Sequence, residues 1–185
     1  MTQTAFWKAI YTRGHDAALL AAAGDGWRLS GTAVFLHEGR PASLGYSLDL
    51  NPDWSTRAGR IYGFVGGNTV ERRIERVGPD WTLDGVPQPG VRGCVDLDFG
   101  FTPATNCPQL KRMALEVGQS AEINVAWLDV ESTALAALPQ IYRREGLDAY
   151  DYNSPQGPYH ATLRIAESGF VRDYPDLWMI AEIAS

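Results

Sequence analysis

Along most of the chain apolar and polar residues alternate, and a period of two is the mark of a strand with one buried face. From Leu44 to Leu50 the order Leu-Gly-Tyr-Ser-Leu-Asp-Leu puts Leu44, Tyr46, Leu48 and Leu50 on one face. Ala121 to Leu128 sets Ile123, Val125 and Trp127 against Glu122, Asn124 and Ala126. Tyr159 to Ile165 sets Tyr159, Ala161, Leu163 and Ile165 against His160, Thr162 and Arg164. Further strands are expected over Trp27–Phe35, Arg60–Val65, Val70–Val77, Cys94–Phe101, Leu110–Val117, Leu138–Arg143 and Leu177–Ile183. Turn signals such as Gly24-Asp25-Gly26, Asn51-Pro52-Asp53, Gly66-Gly67-Asn68 and Asp84-Gly85 separate them. Helix is expected only in short pieces. One is Asp16–Ala23, because alanine favours helix. The other is Ser132–Leu138, where Ser132 or Thr133 can cap. Many short strands with frequent turns predict an all-β, mainly antiparallel protein: a sandwich, barrel or roll.

A length of 185 residues fits a single domain spanning 1–185. Such a chain buries roughly two-thirds of its unfolded surface, so neither a disulfide nor a metal is required to hold it together. The net charge of −6 opposes adhesion to nucleic acid or anionic lipid, which are negative too. Cys94 and Cys107 are too few for a disulfide framework and read as two reduced thiols. His15, His37 and His160 stand apart from one another and from both cysteines, so no zinc site and no cofactor is expected. The alanine-rich run Ala17–Ala23 is short and directly follows His15 and Asp16, unlike a secretion signal. No stretch reaches the ~18 apolar residues of a membrane span. The expected compartment is the cytoplasm. A faint internal echo links Tyr46–Ile61 with Tyr150–Ile165: each runs tyrosine, proline turn, aromatic, threonine and then Arg-Ile.

The segment richest in chemistry is Gly93 to Pro108. On a strand, Cys94, Asp96 and Asp98 share one face, while Val95, Leu97, Phe99 and Phe101 share the other. Two carboxylates about 7 Å apart on one face repel and call for a counter-ion, with Arg57 or Arg112 the expected partner. Paired acids can also bind a cation, share a proton or hold sugar hydroxyls. Thr102, Thr105 and Asn106 follow closely and carry further oxygen atoms. Arg57 beside Trp54 can present a rigid fork or tether its turn. Gln140-x-Tyr142 and Tyr150-x-Tyr152 place polar-tipped side chains on single strand faces. No nucleophile elbow, P-loop, dinucleotide fingerprint or His-Glu-x-x-His is present.

Read in order, eight short motifs resemble a bacterial family described as "putative glycolipid-binding", formerly a domain of unknown function. They are Trp54-Ser55-Thr56-Arg57, Trp81 with Leu83-Asp84-Gly85, Cys94-Val95-Asp96-Leu97-Asp98, Thr102-Pro103-Ala104-Thr105-Asn106, Lys111-Arg112, Gln140-Ile141-Tyr142, Tyr150-Asp151-Tyr152 and Asp173-Tyr174-Pro175. The resemblance runs from about Trp7 to Ile183. It implies a spiral β-roll of two related halves, about 1–92 and 93–185, akin in outline to periplasmic carriers that shield acyl chains. The chain departs from the family pattern at Pro108-Gln109-Leu110-Lys111-Arg112, where Lys111 lacks the fork of an arginine. It departs again at Glu167-Ser168-Gly169-Phe170-Val171.

Three readings of function follow. The first is a carrier or sensor, binding rather than catalytic, that holds an amphipathic glycolipid or lipid in a β-roll cavity. Apolar walls would take the acyl part. Arg57, Asp96, Asp98, Thr105, Asn106, Arg112, Gln140, Tyr142, Tyr150 and Tyr152 would take the head. The second is a small enzyme on a carbohydrate- or lipid-linked substrate, with Asp96 or Asp98 as acid or base. The third is a partner-binding module without a small ligand.

Overall fold

The computed structural model describes residues 2–181. Its strands are β1 (Gln3–Ala9), β2 (Gly14–Ala23), β3 (Gly26–His37), β4 (Arg40–Leu50), β5 (Thr56–Val65), β6 (Asn68–Val77), β7 (Asp80–Leu83) and β8 (Val86–Pro87). They continue with β9 (Leu97–Phe99), β10 (Ser120–Leu128), β11 (Ala136–Arg144), β12 (Ala149–Ser154), β13 (Tyr159–Ile165), β14 (Val171–Tyr174) and β15 (Trp178–Ile180). One α-helix, α1 (Asn106–Met113), follows β9, and a single 3-10 turn covers Pro89–Val91.

All these strands join one sheet, in the order β8-β7-β6-β5-β4-β3-β2-β1-β15-β14-β13-β12-β11-β10-β9. Each pairing is antiparallel except β9 with β10. Two up-and-down blocks, β1–β8 and β9–β15, therefore meet where β1 pairs with β15. The all-β, mainly antiparallel class is as the alternation predicts.

Register builds the core. Leu20, Leu29, Leu48 and Gly59 stand opposite one another across β2 to β5 and form one inward row. Burying each such leucine is worth roughly 1.5–3 kcal/mol. The row ends in glycine for a packing reason. A Cβ on Gly59 would lie 2.3 Å from Leu97 Cδ2, because β9 crosses over β5 there. Trp7 Nε1 donates to the Val171 carbonyl at 2.6 Å and stitches the two blocks together.

The second block differs in carrying α1 against its inward face. Leu110 of the helix and Leu115 just beyond it pack with Tyr142, Tyr150, Tyr152 and Leu163. Pro108 sits in the first turn, where its missing N–H costs nothing. Ala114 closes the helix in the left-handed region.

Three local expectations are overturned. Asp16–Ala23 is strand, not helix, since β2 pairs with β3 along its whole length and with β1 over His15–Leu20. Its alternation of Asp16, Ala18 and Leu20 inward outweighs the helical preference of alanine. Ser132–Leu138 is a loop running into β11. Leu110–Val117 holds the end of α1 rather than a strand, and the strand within Cys94–Phe101 is only Leu97–Phe99. In Leu177–Ile183 the strand is Trp178–Ile180, and residues 182–183 lie outside the described residues. The rejected secretion-signal run is a mid-sheet strand.

Candidate functional site

The chain leaves β9 through Gly100 to Ala104 and enters α1, and this corner gathers the polar groups. Thr105 stands just before the helix, but its hydroxyl does not cap it. It turns back instead: Thr105 Oγ1 accepts from Phe99 N at 3.3 Å and donates to Asp98 Oδ1 at 2.5 Å. Gln140 Nε2 on β11 donates to the other Asp98 oxygen at 2.8 Å. Asn106 Nδ2 donates to the Tyr142 hydroxyl at 2.9 Å. The Gln109 and Gln140 carbonyl oxygens lie 3.0 and 3.1 Å from that same hydroxyl, whose one proton serves one of them at a time. Gln109 Nε2 is buried without a partner.

Asp98 has two neutral donors and no cation. Burial pushes its pKa up, and Asp96 and Asp129 add to the rise, while the Thr105 and Gln140 hydrogen bonds hold it back. Asp96 is handled in the opposite way. Arg112, from the last turn of α1, grips it with two bonds of 2.8 and 2.6 Å. Both acids thus turn toward α1, Asp98 to its start and Asp96 to its end. The counter-ion expected from charge repulsion is Arg112.

Arg57 is elsewhere. It lies on the surface, 3.6 Å from Asp25, with neither acid as a partner. Its neighbours explain the Trp54–Arg57 motif structurally. Trp54 stacks on Trp27 at 4.5 Å, and Lys111 Nζ lies 5.3 Å from the Trp54 ring. Thr56 zips the turn to the acidic segment: its hydroxyl accepts from Leu97 N at 3.0 Å, and its amide donates to Val95 O at 2.9 Å. Tyr150 lies under Arg144 in the same cluster as Tyr142 and Tyr152, outside the cavity lining.

A cavity of about 260 Å³ opens beside the cluster. Asp98, Thr102, Asn106 and Ser154 give it polar atoms, and Trp127, Tyr152, Tyr159, Tyr174 and Trp178 give it aromatic walls. The tyrosine rings touch one another, with centroids 5.4–6.0 Å apart among Tyr152, Tyr159 and Tyr174. Ser154 Oγ is buried with no well-aligned partner, although the Tyr152 phenol is close by. Burial pushes the Tyr152 phenol up to about 12 and raises Tyr174 strongly, so both stay neutral donors. A larger groove of about 720 Å³ crosses the outer face between Phe6, Leu19 and Tyr62. Among the described residues its lining holds no charged group, whereas the smaller cavity holds Asp98 and adjoins the buried polar cluster.

Thr102 links this cavity to the other block. Its hydroxyl hydrogen-bonds to Asp16, which also accepts from Tyr46 at 2.9 and 3.1 Å. Burial lifts Asp16 to about 6, against the pull of the Thr102 and Tyr46 hydrogen bonds.

Of the residues singled out by sequence, Asp98, Thr105, Asn106, Gln140, Tyr142 and Tyr152 come together. Asp96 and Arg112 form an adjoining ion pair, while Arg57 and Tyr150 stand apart. The walls Trp127, Tyr159, Tyr174 and Trp178, with Ser154, were not singled out as site residues. The alternation of Trp127 and Tyr159 with polar neighbours marked them as inward-facing, but nothing local marked them as cavity walls. Among the described residues one grouping offers clustered metal-ligand atoms: His37, Glu38 and Glu131, within 4.8 Å on the surface away from the cavity. Cys94 and Cys107 are free buried thiols, with Cys107 pushed up to about 12 by burial. No described helix is long and apolar enough to cross a membrane.

This fold has a counterpart among known proteins. The chain belongs to the family described as "Putative glycolipid-binding", whose model matches residues 4–179. It is similar to the crystal structure of a DUF1089 family protein from Pseudomonas aeruginosa, with a TM-score of 0.79 and 26% identity. The similarity covers 90% of this chain and 92% of that one. No curated protein matches the chain.

Proposed function

We propose that the protein is a non-catalytic carrier or sensor that binds the polar head of a sugar-bearing amphiphile in the cavity beside Asp98. The observation that carries this reading is the lining: a carboxylate, an amide and the Thr102 and Ser154 hydroxyls set among six aromatic side chains. Aromatic faces suit the apolar faces of a sugar ring, and fixed donors and acceptors suit its hydroxyls. The family description points the same way.

Size refines the expected binding mode. Cavities that enclose drug-sized ligands run about 300–1,000 Å³, and this one is near 260 Å³. A head group fits; a head group together with its acyl chain does not, so the tail lies outside. The hydrolase reading is less well supported. Glycoside hydrolysis needs two available carboxyl groups. Asp96 is already committed to Arg112 by two bonds.

Native mass spectrometry of freshly purified protein, followed by titration with short alkyl glycosides with and without a chelator, tests the proposal. Saturable, chelator-independent binding that is lost in Asn106→Leu is the expected result. No saturable binding of any glycoside returns the protein to the partner-binding reading.

A further inference from the structure

The electrostatics of the cavity narrow its ligand further, and this step rests on the head-group reading above. Among the described residues no lysine, arginine or histidine lines the cavity. Its one charged group is Asp98, fully enclosed and bonded only to the neutral Thr105 and Gln140. Two residues away, Asp96 has the only arginine among the described residues that reaches either acid, so one carboxylate has a cation and the other has none there. Asp96 and Asp129 both lie close enough to Asp98 to make a negative charge there more costly. Six aromatic side chains line the cavity, and the face of an aromatic ring is negative and attracts cations. Only the neutral Thr105 and Gln140 donors offset the negative groups gathered here, and no full positive charge does.

An acidic or phosphorylated head group would meet this field with no compensating cation and is excluded. A neutral ring would fill the space and leave Asp98 uncompensated. An ammonium group would satisfy the carboxylate and the ring faces together, as in aromatic cages built for organic cations. We propose that the head group bound here carries a protonated amine: an amino sugar, with its ammonium directed to Asp98 and its ring held among Trp127, Tyr152, Tyr159 and Tyr174.

Trp127 and Trp178 line the cavity, so intrinsic fluorescence reports binding to the whole protein directly. Titrations near neutral pH compare glucosamine, glucose, N-acetylglucosamine and glucuronic acid. Glucosamine should bind at least about tenfold more tightly than glucose or N-acetylglucosamine, a difference of the size that desolvated cation–aromatic contacts supply. Glucuronic acid should not bind. In Asp98→Asn the ratio of glucosamine to glucose affinity, read within that one variant, should fall to about twofold or less. Equal affinity for glucose and glucosamine overturns the amine while leaving the head-group reading intact. A preference that survives in Asp98→Asn overturns the role of the carboxylate. Failure of all four sugars removes both readings at once. Should Asp98→Asn fail to fold, the four-sugar comparison on the native chain still decides.

Discussion

The two blocks of the sheet share one architecture and differ in what they turn inward. The β1–β5 strands present Trp7, Leu20, Leu29, Phe35, Leu44 and Leu48, and the space between them is filled. The β11–β13 strands present Gln140, Tyr142, Tyr150, Tyr152, Ser154 and Tyr159 at equivalent inward positions. Aliphatic residues close a face by area burial alone. Tyrosine, glutamine and serine bury almost as much but bring polar tips that must find partners. Where those partners run out, at Ser154 Oγ and Gln109 Nε2, the structure has a cavity or an unsatisfied donor. The comparison teaches that the first block closes mainly on aliphatic side chains, while the second holds the polar cluster beside the proposed head-group cavity. The block boundary is bridged by Trp7 and by the Asp16–Thr102 contact.

The largest expected effect breaks the second block at its ion pair. Asp96 is 2% exposed and Arg112 is its cation. Arg112→Met should cost about 3–5 kcal/mol, because it leaves a carboxylate buried without a partner. Adding Asp96→Leu should recover most of that loss, since replacing both members of a buried pair is often close to neutral. Urea unfolding measures both. A loss under about 1 kcal/mol in the single variant would mean that Asp96 finds water or another partner.

Asp16 tests the first block by pH. Its pKa is raised from 3.8 to about 6, so the folded state holds this proton more tightly than the unfolded chain. Stability from this group is therefore fully present below about pH 4 and is lost as pH rises toward 6. The change is about 3 kcal/mol, at 1.36 kcal/mol per unit. Asp98 is shifted in the same direction and adds to the slope. Asp16→Asn should flatten part of the slope, and Asp16→Asn with Asp98→Asn should flatten more. A single variant with an unchanged slope would show that Asp16 is not the group titrating.

Tyr142→Phe compares the two blocks at one hydroxyl. It strips the shared partner from Asn106, Gln109 and Gln140, and should cost about 1–3 kcal/mol. It should also weaken glycoside binding, because Asn106 lines the cavity and loses its anchor. Leu48→Ala in the first block should cost 2–5 kcal/mol in stability with binding unchanged at saturating folded fraction. Binding that follows Leu48 rather than Tyr142 would dissolve the division of labour.

How far the sequence foretold this division depends on the residue. The alternation over Ala121–Leu128 and Tyr159–Ile165 becomes β10 and β13 almost residue for residue. The pattern works there because one face is buried and the other is wet, which pins the register. It fails at Asp16–Ala23, where alanines carry little hydrophobic contrast and local propensity speaks for helix. It fails again at Leu110–Met113, where four residues fit either period. In the site, the clustering of Asp98, Thr105 and Asn106 follows from nearness in the chain, and the Gln140–Tyr142 pair from strand phase. The Asp16–Tyr46–Thr102 contact, the Tyr159 and Tyr174 walls, and the choice of Arg112 over Arg57 are long-range facts. They depend on where β9 crosses the sheet and on which end of α1 faces each acid. No local period encodes either.

The smallest expected effect concerns Arg57, and it sharpens the comparison by being near zero. In sequence Arg57 and Arg112 were equal candidates to neutralise the acidic pair. In the structure Arg57 is about half exposed and 3.6 Å from Asp25, itself largely exposed. An exposed pair of that length gains little Coulomb energy in water and loses side-chain entropy, so its contribution lies between zero and about 1 kcal/mol. Arg57→Ala should therefore change stability by no more than about 0.5 kcal/mol. Glycoside binding should be unchanged, because Arg57 lies outside the cavity lining. The effect that remains should vanish in high salt, which screens exposed charges at a few ångströms' range. Urea midpoints for Arg57→Ala and Arg112→Met, measured side by side at low and high salt, separate the two arginines. A large, salt-insensitive loss at Arg57 would mean that it reaches a buried carboxylate, and the assignment of Arg112 as the counter-ion would have to be shared.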